Sequence, residues 1–328
     1  MPDVKVAVLD DYLHLAGTLA DWSGLPAHVK VDYFHEPLPL GPARAEALRD
    51  YDVLALTRER TPLPAALLAD LPRLKLVCTP EMHNRVIDYA YCRTHGIPVC
   101  GTPPRESPTG ELTWALLLAL TRNLTIDDRE MRRGGWQTNV GTEIRGKTMG
   151  VIGLGRIGGE FAQIAQAFGM KVIAWSENMT PEAAAKYGAT HVSKDELFRQ
   201  SDYVVVLVIL SDRTRGLVGR HEIGLMKPTA FLINPARGPI VDETALIDAL
   251  REKRIAGAGL DVYDTEPLPE DHPLRSLPNT VLTPHVGGFT REHYAHWYGG
   301  MLENVKAWLE GKPIREIQGD GMSAVRVK

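Results

Sequence analysis

The sequence predicts an α/β protein of two doubly wound parallel-sheet domains, one inserted into the other. Three observations carry that prediction. The chain has 328 residues, enough for about two domains at roughly 150 residues each. Short apolar runs alternate with longer segments of helical pattern. This alternation occurs in two sets, separated by a break at Gly101-Thr102-Pro103-Pro104. The composition, 44% hydrophobic and 24% charged, is that of an ordinary globular protein.

In chain order, the first set places strands at Val4–Leu9, Val29–Phe34, Val53–Thr57, Leu74–Cys78 and Ile97–Cys100, with helices including Arg44–Asp50 and Pro64–Ala69. An apolar helix follows, Glu111–Arg122. The second set runs Thr148–Ile152, Lys171–Trp175, Tyr203–Val208, Ala230–Asn234, Gly257–Val262 and Thr280–Thr283. Strands alternating with helices read as βαβ units and hence as parallel sheets covered on both faces. Six strands in the second set is the count of a dinucleotide-binding fold, and the first set looks like a smaller five-strand unit. After Gly287-Gly288 a long helix runs from about Arg291 to Glu310, and Gly311-Lys312-Pro313 ends it. The two long helices flanking the second sheet are candidates for crossing between domains. The expected boundaries are 1–103 plus 290–328 for one domain and 104–289 for the inserted one.

The formal charge is −4, with both signs mixed along the chain. That argues against nucleic acid or an anionic membrane surface as the main partner, since each needs a concentrated basic face. No stretch approaches the roughly 18 apolar residues of a membrane helix; the longest run is Tyr203–Leu210. The start enters a strand pattern directly, so no export signal is expected. Cys78, Cys92 and Cys100 are odd in number and form no C-x-x-C pair. They read as reduced core residues, which fits a cytoplasmic protein. The histidines show no metal-ligand spacing beside Cys or carboxylate clusters, so no metal is expected.

Gly153-Leu154-Gly155-Arg156-Ile157-Gly158 is a G-x-G-x-x-G that directly follows an apolar run and precedes a helical pattern, Glu160–Phe168. In that context the first glycine permits the tight turn and the second lets the backbone approach a pyrophosphate. The third allows close helix–strand packing, and the helix N-terminus favours the diphosphate. About twenty residues on, the next strand ends at Trp175-Ser176-Glu177, where an acid would accept from the adenosine ribose hydroxyls. Ser176 is closest to the strand end and Glu177 is one step later. With no Arg or Lys from 172 to 185, and Glu177 repelling a 2′-phosphate, the expected cofactor is NAD rather than NADP.

Three charged residues follow three successive strands of the second set: Arg237, Glu266 and His285. In a parallel sheet all carboxyl ends lie on one edge, the edge of the glycine turn. A guanidinium, a carboxylate and an imidazole beside a nicotinamide are what reduction of a 2-oxo acid needs. The Arg holds the substrate carboxylate and polarises the carbonyl. The imidazole delivers a proton, and the carboxylate orients it and favours its charged form. A second reading from another class is an NAD(H)-sensing binding protein of the corepressor kind on the same fold.

The sequence resembles the D-isomer-specific 2-hydroxyacid dehydrogenases, the group with phosphoglycerate dehydrogenase, glyoxylate reductase and formate dehydrogenase. The segments that carry the resemblance are Gly153–Gly158, Met226-Lys227-Pro228, Asn234–Asp242, Gly257–Val262, Glu266-Pro267 and Thr283–Gly288. It implies a Rossmann NAD domain inserted into a flavodoxin-like substrate domain, with Arg237, Glu266 and His285 catalytic. It further implies that Arg156 and Ile157 contact the pyrophosphate, that Pro235 and Ala236 lie beside the nicotinamide, that Asp261 holds the carboxamide, and that Gly287 belongs to the cofactor loop. The family's usual assembly is a homodimer through the nucleotide domains. Formate oxidation itself is disfavoured, because the proton-relay pair is intact.

Several positions depart from the family pattern. Ser176 replaces an acid, Leu207 stands where many members have His, and Gly110 interrupts a common Val-Ala-Glu segment. In the loop Thr79–Asn84, which in the family offers N–H groups to the substrate carboxylate, Glu81 stands where Gly is common. Either Glu81 turns outward or the substrate differs from simple hydroxy acids. Tyr294, Trp297 and Tyr298 either wall the substrate pocket or pack the last helix, and Trp136 is similarly open. No cluster of Arg and Lys in the first domain points to a phosphorylated substrate.

Overall fold

A computed structural model describes residues 3–106 and 108–319. Residues 320–328, assigned above to the first domain, lie outside the described residues. The chain divides into two units, residues 1–106 with 289–328, and residues 107–288.

The first unit contains β1 (Val4–Val8), β2 (Val29–Tyr33), β3 (Val53–Ala55), β4 (Leu76–Cys78) and β5 (Val99–Cys100), arranged as β2-β1-β3-β4-β5. Every pairing is parallel. Alternate residues of each strand feed opposite faces, as the period-2 geometry requires. Val6, Val8, Ala55 and Cys78 pack on one side, and Ala7, Leu54 and Val77 on the other. The first side is covered by the final helix, Arg291–Leu309, which buries Tyr294, Trp297, Tyr298, Met301 and Val305. The three aromatics therefore pack this helix on its own sheet. Beyond the helix the chain returns to β5, where the Ile317 N–H donates to the Val99 carbonyl at 2.8 Å. Cys78, Cys92 and Cys100 are buried with free thiols.

The second unit holds seven strands: β6 (Thr148–Ile152), β7 (Lys171–Trp175), β8 (Thr190–His191), β9 (Tyr203–Val206), β10 (Phe231–Asn234), β11 (Gly257–Leu260) and β12 (Thr280–Leu282). Their order is β12-β11-β10-β9-β6-β7-β8, all parallel. The count expected from sequence was six; β8, two residues at the sheet edge with no apolar run, was missed. Both faces are covered: Val204, Val206 and Leu232 pack with Phe198, Leu246 and Leu250, while Val205 and Ile233 pack with Trp114, Leu117 and Phe161.

Several helices begin earlier than their apolar pattern. The one expected at Glu160 starts at Arg156, because its first turn is glycine-rich and carries no apolar period. The helix expected at Glu111 starts at Thr109 and packs on β10, β11 and β12. Among the described residues, no helix is long and apolar enough to cross a membrane.

Candidate active site

The strand order of the second unit reverses at β6, which pairs with β7 on one side and β9 on the other. Ligands bind outside the carboxyl ends of strands at such a switch point. The glycine turn sits there. Gly153 has φ +95°, and a Cβ on Gly158 would lie 2.2 Å from the Gly153 carbonyl oxygen. Any side chain at 158 would thus force the helix off the strand. Gly155 precedes the helix Arg156–Ala167 with no side-chain cap on its first turn, so the leading N–H groups are left for an anion. These features fit a dinucleotide diphosphate, with exposed Arg156 and half-buried Ile157 at its edge. The Gly153 N–H donates to the Trp175 carbonyl at 2.9 Å, which joins this turn to the half-buried Ser176 and exposed Glu177. The structure also brings up a cation not seen in the local sequence: the Lys194 ammonium lies 5.8 Å over the Trp175 ring. It is already paired with Glu222 at 2.8 Å.

After β10, the buried Asn234 pins the chain on both sides. Its amide donates to the Arg237 carbonyl at 3.0 Å, and its oxygen accepts from the Ala236 N–H at 3.1 Å. This shapes Pro235-Ala236 and turns Arg237 out at the head of a short 3-10 turn, Gly238–Ile240. A guanidinium N–H of Arg237 donates to the Ala236 carbonyl at 2.7 Å.

Two segments beyond β11 and β12 meet. His285 Nδ1 lies 2.6 Å from Glu266 Oε2, while Glu266 Oε1 accepts from the Tyr263 N–H at 3.0 Å. Burial alone would raise the Glu266 pKa. The His285 hydrogen bond, the Tyr263 N–H and the nearby charges of His285 and Arg237 outweigh it, and the carboxyl sits below its ordinary range. His285 has φ +55°, an uncommon conformation for a non-glycine residue and one found at functional sites. Asp261 holds it there. Asp261 Oδ1 accepts from the Thr283 hydroxyl at 2.6 Å and the Val286 N–H at 2.8 Å, and Oδ2 from the Gly287 N–H at 2.8 Å. Three of roughly four acceptor positions are thus filled, leaving one on Oδ2 for an outside donor. Asp261 is fully buried, and that burial raises its pKa despite these bonds.

In the first unit, the loop after β4 is stitched by Asn84, whose amide donates to Thr79 Oγ1 and to the Arg58 carbonyl, both at 3.0 Å. Glu81 Oε2 lies 3.3 Å from His83 Nε2, with both side chains substantially exposed. Sequence reasoning missed a basic group on this sheet edge. The guanidinium carbons of Arg58 and Arg60 lie 5.6 and 5.5 Å from the centroid of the Phe289 ring. Two arginines at i and i+2 directly after an apolar strand were the available signal. Among the described residues, no group of three or more His, Cys, Asp or Glu could hold a metal ion.

Comparison with known proteins adds the family. Residues 114–287 match the sequence model described as D-isomer specific 2-hydroxyacid dehydrogenase, NAD binding domain. The chain is 41% identical over 256 residues to a glyoxylate reductase from Aeropyrum pernix, spanning 75% of this chain and 76% of that one. It is 37% identical over 287 residues to a glyoxylate reductase from Thermococcus litoralis, spanning 84% and 86%. Among solved structures, a phosphoglycerate oxidoreductase from Vibrio cholerae superposes with TM-score 0.86 at 32% identity, covering 94% of this chain and 99% of that one. The chain therefore belongs to the D-isomer-specific 2-hydroxyacid dehydrogenase family and is an NAD-dependent enzyme of it.

Proposed function

We propose that this protein reduces a small 2-oxo acid to the D-2-hydroxy acid, with Arg237, Glu266 and His285 as its catalytic residues. The observation that carries this reading is the 2.6 Å contact between His285 and Glu266 on the sheet edge that also holds the glycine turn. Gly153, Gly155, Arg156, Ile157 and Gly158 hold the diphosphate, and Ser176 with Glu177 holds the adenosine ribose. Pro235, Ala236, Asp261 and Gly287 frame the nicotinamide. When bound in its reduced form, that ring supplies hydride to C2 of the oxo acid. Arg237 binds the substrate carboxylate in a fork and draws electron density from the carbonyl. His285 gives its proton to the carbonyl oxygen, so the product carries a neutral C2 hydroxyl beside its carboxylate. Glu266 orients the imidazole and stabilises its charged form before transfer. The first unit, with its β4 loop, serves as the substrate-binding domain.

NAD is preferred over NADP because Glu177 opposes a 2′-phosphate and Lys194 is neutralised by Glu222. The protein works as a homodimer through its nucleotide domains. Supporting this, Leu124, Met131, Trp136 and Val140 are all more than half exposed within one stretch of that unit, an apolar concentration of the kind interfaces cover. The test is a panel of 2-oxo acids with NADH, followed at the nicotinamide absorbance. Glyoxylate is a first candidate from the relatives' names. Turnover should fall about 10²–10⁴-fold in His285→Ala. Tight NADH binding without turnover on any acid would defeat the reading.

A further inference from the structure

Next to the segment that carries Glu266, the second unit holds another histidine–carboxylate pair, which the reaction above does not use. Glu243 opens the helix Glu243–Arg251. Its Oε1 lies 3.1 Å from His272 Nε2, and both side chains are mostly buried. His272 Nδ1 accepts from the Leu274 N–H at 3.4 Å, which puts the ring proton on Nε2, facing Glu243. The other carboxylate oxygen, Oε2, accepts from the Asp264 N–H at 3.3 Å. Asp264 stands two residues before Glu266.

The helix does not need these bonds. Asp242 caps it, accepting from the Ala245 N–H at 2.9 Å, and the Glu243 oxygens are spent outside it. The arrangement also has a cost. Burial, and then the Glu243 charge, raise the Asp264 carboxyl above its ordinary range, as like charges brought close must. What Glu243 joins is one loop, which has no helix or strand from Tyr263 to His272. At its near end the Tyr263 hydroxyl lies 3.2 and 3.0 Å from the Leu260 and Thr283 carbonyl oxygens. At its far end Arg275 donates to the Leu268 and Pro269 carbonyls, both at 2.8 Å. Glu243 bonds across the two ends, at 264 and 272, with Glu266 between them. With Asn234 and Gly238, which shape the Arg237 loop, it also lines a cavity of about 10 Å³, room for one water at most. The segments that carry Arg237 and Glu266 therefore both close on Glu243.

We propose that Glu243, braced by His272, is a positioning residue for the acid–base pair: its carboxylate ties the two ends of the loop and so sets where Glu266 meets His285. It acts through Glu266 and does not touch the reacting atoms. The inference rests on Glu266 and His285 working as proposed above. A glutamine at 243 keeps the volume, but one of its two terminal groups is a donor. Either the Asp264 N–H or the His272 N–H then loses its acceptor, and the loop slackens.

Steady-state kinetics with glyoxylate and NADH test this in Glu243→Gln, Glu266→Gln and the double variant. Glu243→Gln should lower kcat about 10–100-fold, while KM for glyoxylate and Kd for NADH change by less than about threefold. In the Glu266→Gln background the same change should cost less than about threefold, because the carboxylate it positions is already gone. His272→Gln, which leaves the Asp264 bond, should cost about 3–10-fold alone and little in that background; it carries the test should Glu243→Gln fold poorly. A second measurement needs no turnover. Amide hydrogen exchange over residues 263–266, read by mass spectrometry, should quicken about tenfold or more in Glu243→Gln. Unaltered exchange there, a wild-type kcat, or an equal loss of kcat in both backgrounds, as a purely structural role would give, overturns the proposal. A Glu266→Gln enzyme with wild-type kcat would instead defeat the acid–base reading, and the positioning role with it.

Discussion

Gly238 sits against Tyr263 so closely that a methyl group added to it would lie 2.1 Å from the Tyr263 carbonyl oxygen. The segment behind Arg237 and the segment leading to Glu266 thus touch backbone to backbone. Gly238→Ala must push them apart, which predicts a stability loss of about 1–3 kcal/mol from overpacking. Misaligning Arg237 relative to Glu266 should lower kcat/KM about 100-fold. Thermal unfolding together with steady-state kinetics would check both. A variant with wild-type kinetics would show that the contact does not position the pair.

Glu266→Gln removes a charge and keeps the shape. Reductive kcat should fall on the order of 100-fold, because the imidazole loses the carboxylate that orients it. Stability gives an independent reading. The Glu266 carboxyl is held below its ordinary value in the folded chain. Its ionised form therefore favours folding above the ordinary carboxylate range, and that contribution is lost as pH falls through the lowered value. The gap in stability between wild type and Glu266→Gln should narrow in acid, as denaturant titrations at several pH values would reveal.

Cofactor preference depends on Glu177. Kinetics with both cofactors should favour NADH in the wild type. Glu177→Arg should improve the relative use of NADPH by about tenfold or more, since the guanidinium can pair with a 2′-phosphate. An unchanged cofactor ratio would place ribose recognition elsewhere.

Trp136 is 73% exposed and Val140 93% exposed. Trp136→Arg should convert a dimer to a monomer in light scattering after size exclusion, leaving the melting of the isolated chain nearly unchanged. A wild-type monomer would remove the basis for this assembly.

Much of the frame was legible because parallel strands impose simple rules. Val204, Val205 and Val206 are all buried, on alternating faces, and such a run reads directly as a central strand. Glu266 and His285, 19 residues apart in sequence, each lie in the segment that follows one of two successive strands, so their meeting on one edge could be anticipated. The unforeseen parts are those set by shape. Nothing in the spacing of Asn234 shows that it clamps the Arg237 loop from both sides. Arg58 and Arg60 share the loop after β3, with Glu59 between them, while Arg105 follows β5, so the three do not form a basic cluster in the sequence. Thr190–His191 has too few residues, and too little apolar surface, to register as a strand.

The split composition of the first unit has a consequence for biosynthesis. Its sheet is complete by Cys100, yet the aromatic slab that seals one side of that sheet arrives only with Arg291–Leu309. All of residues 107–288 stand between, and those residues contain every strand of their own sheet. On the ribosome the inserted body can finish folding while the five-strand sheet waits, one apolar face open, for the tail to emerge. Throughout that interval the open apolar face is available for aggregation.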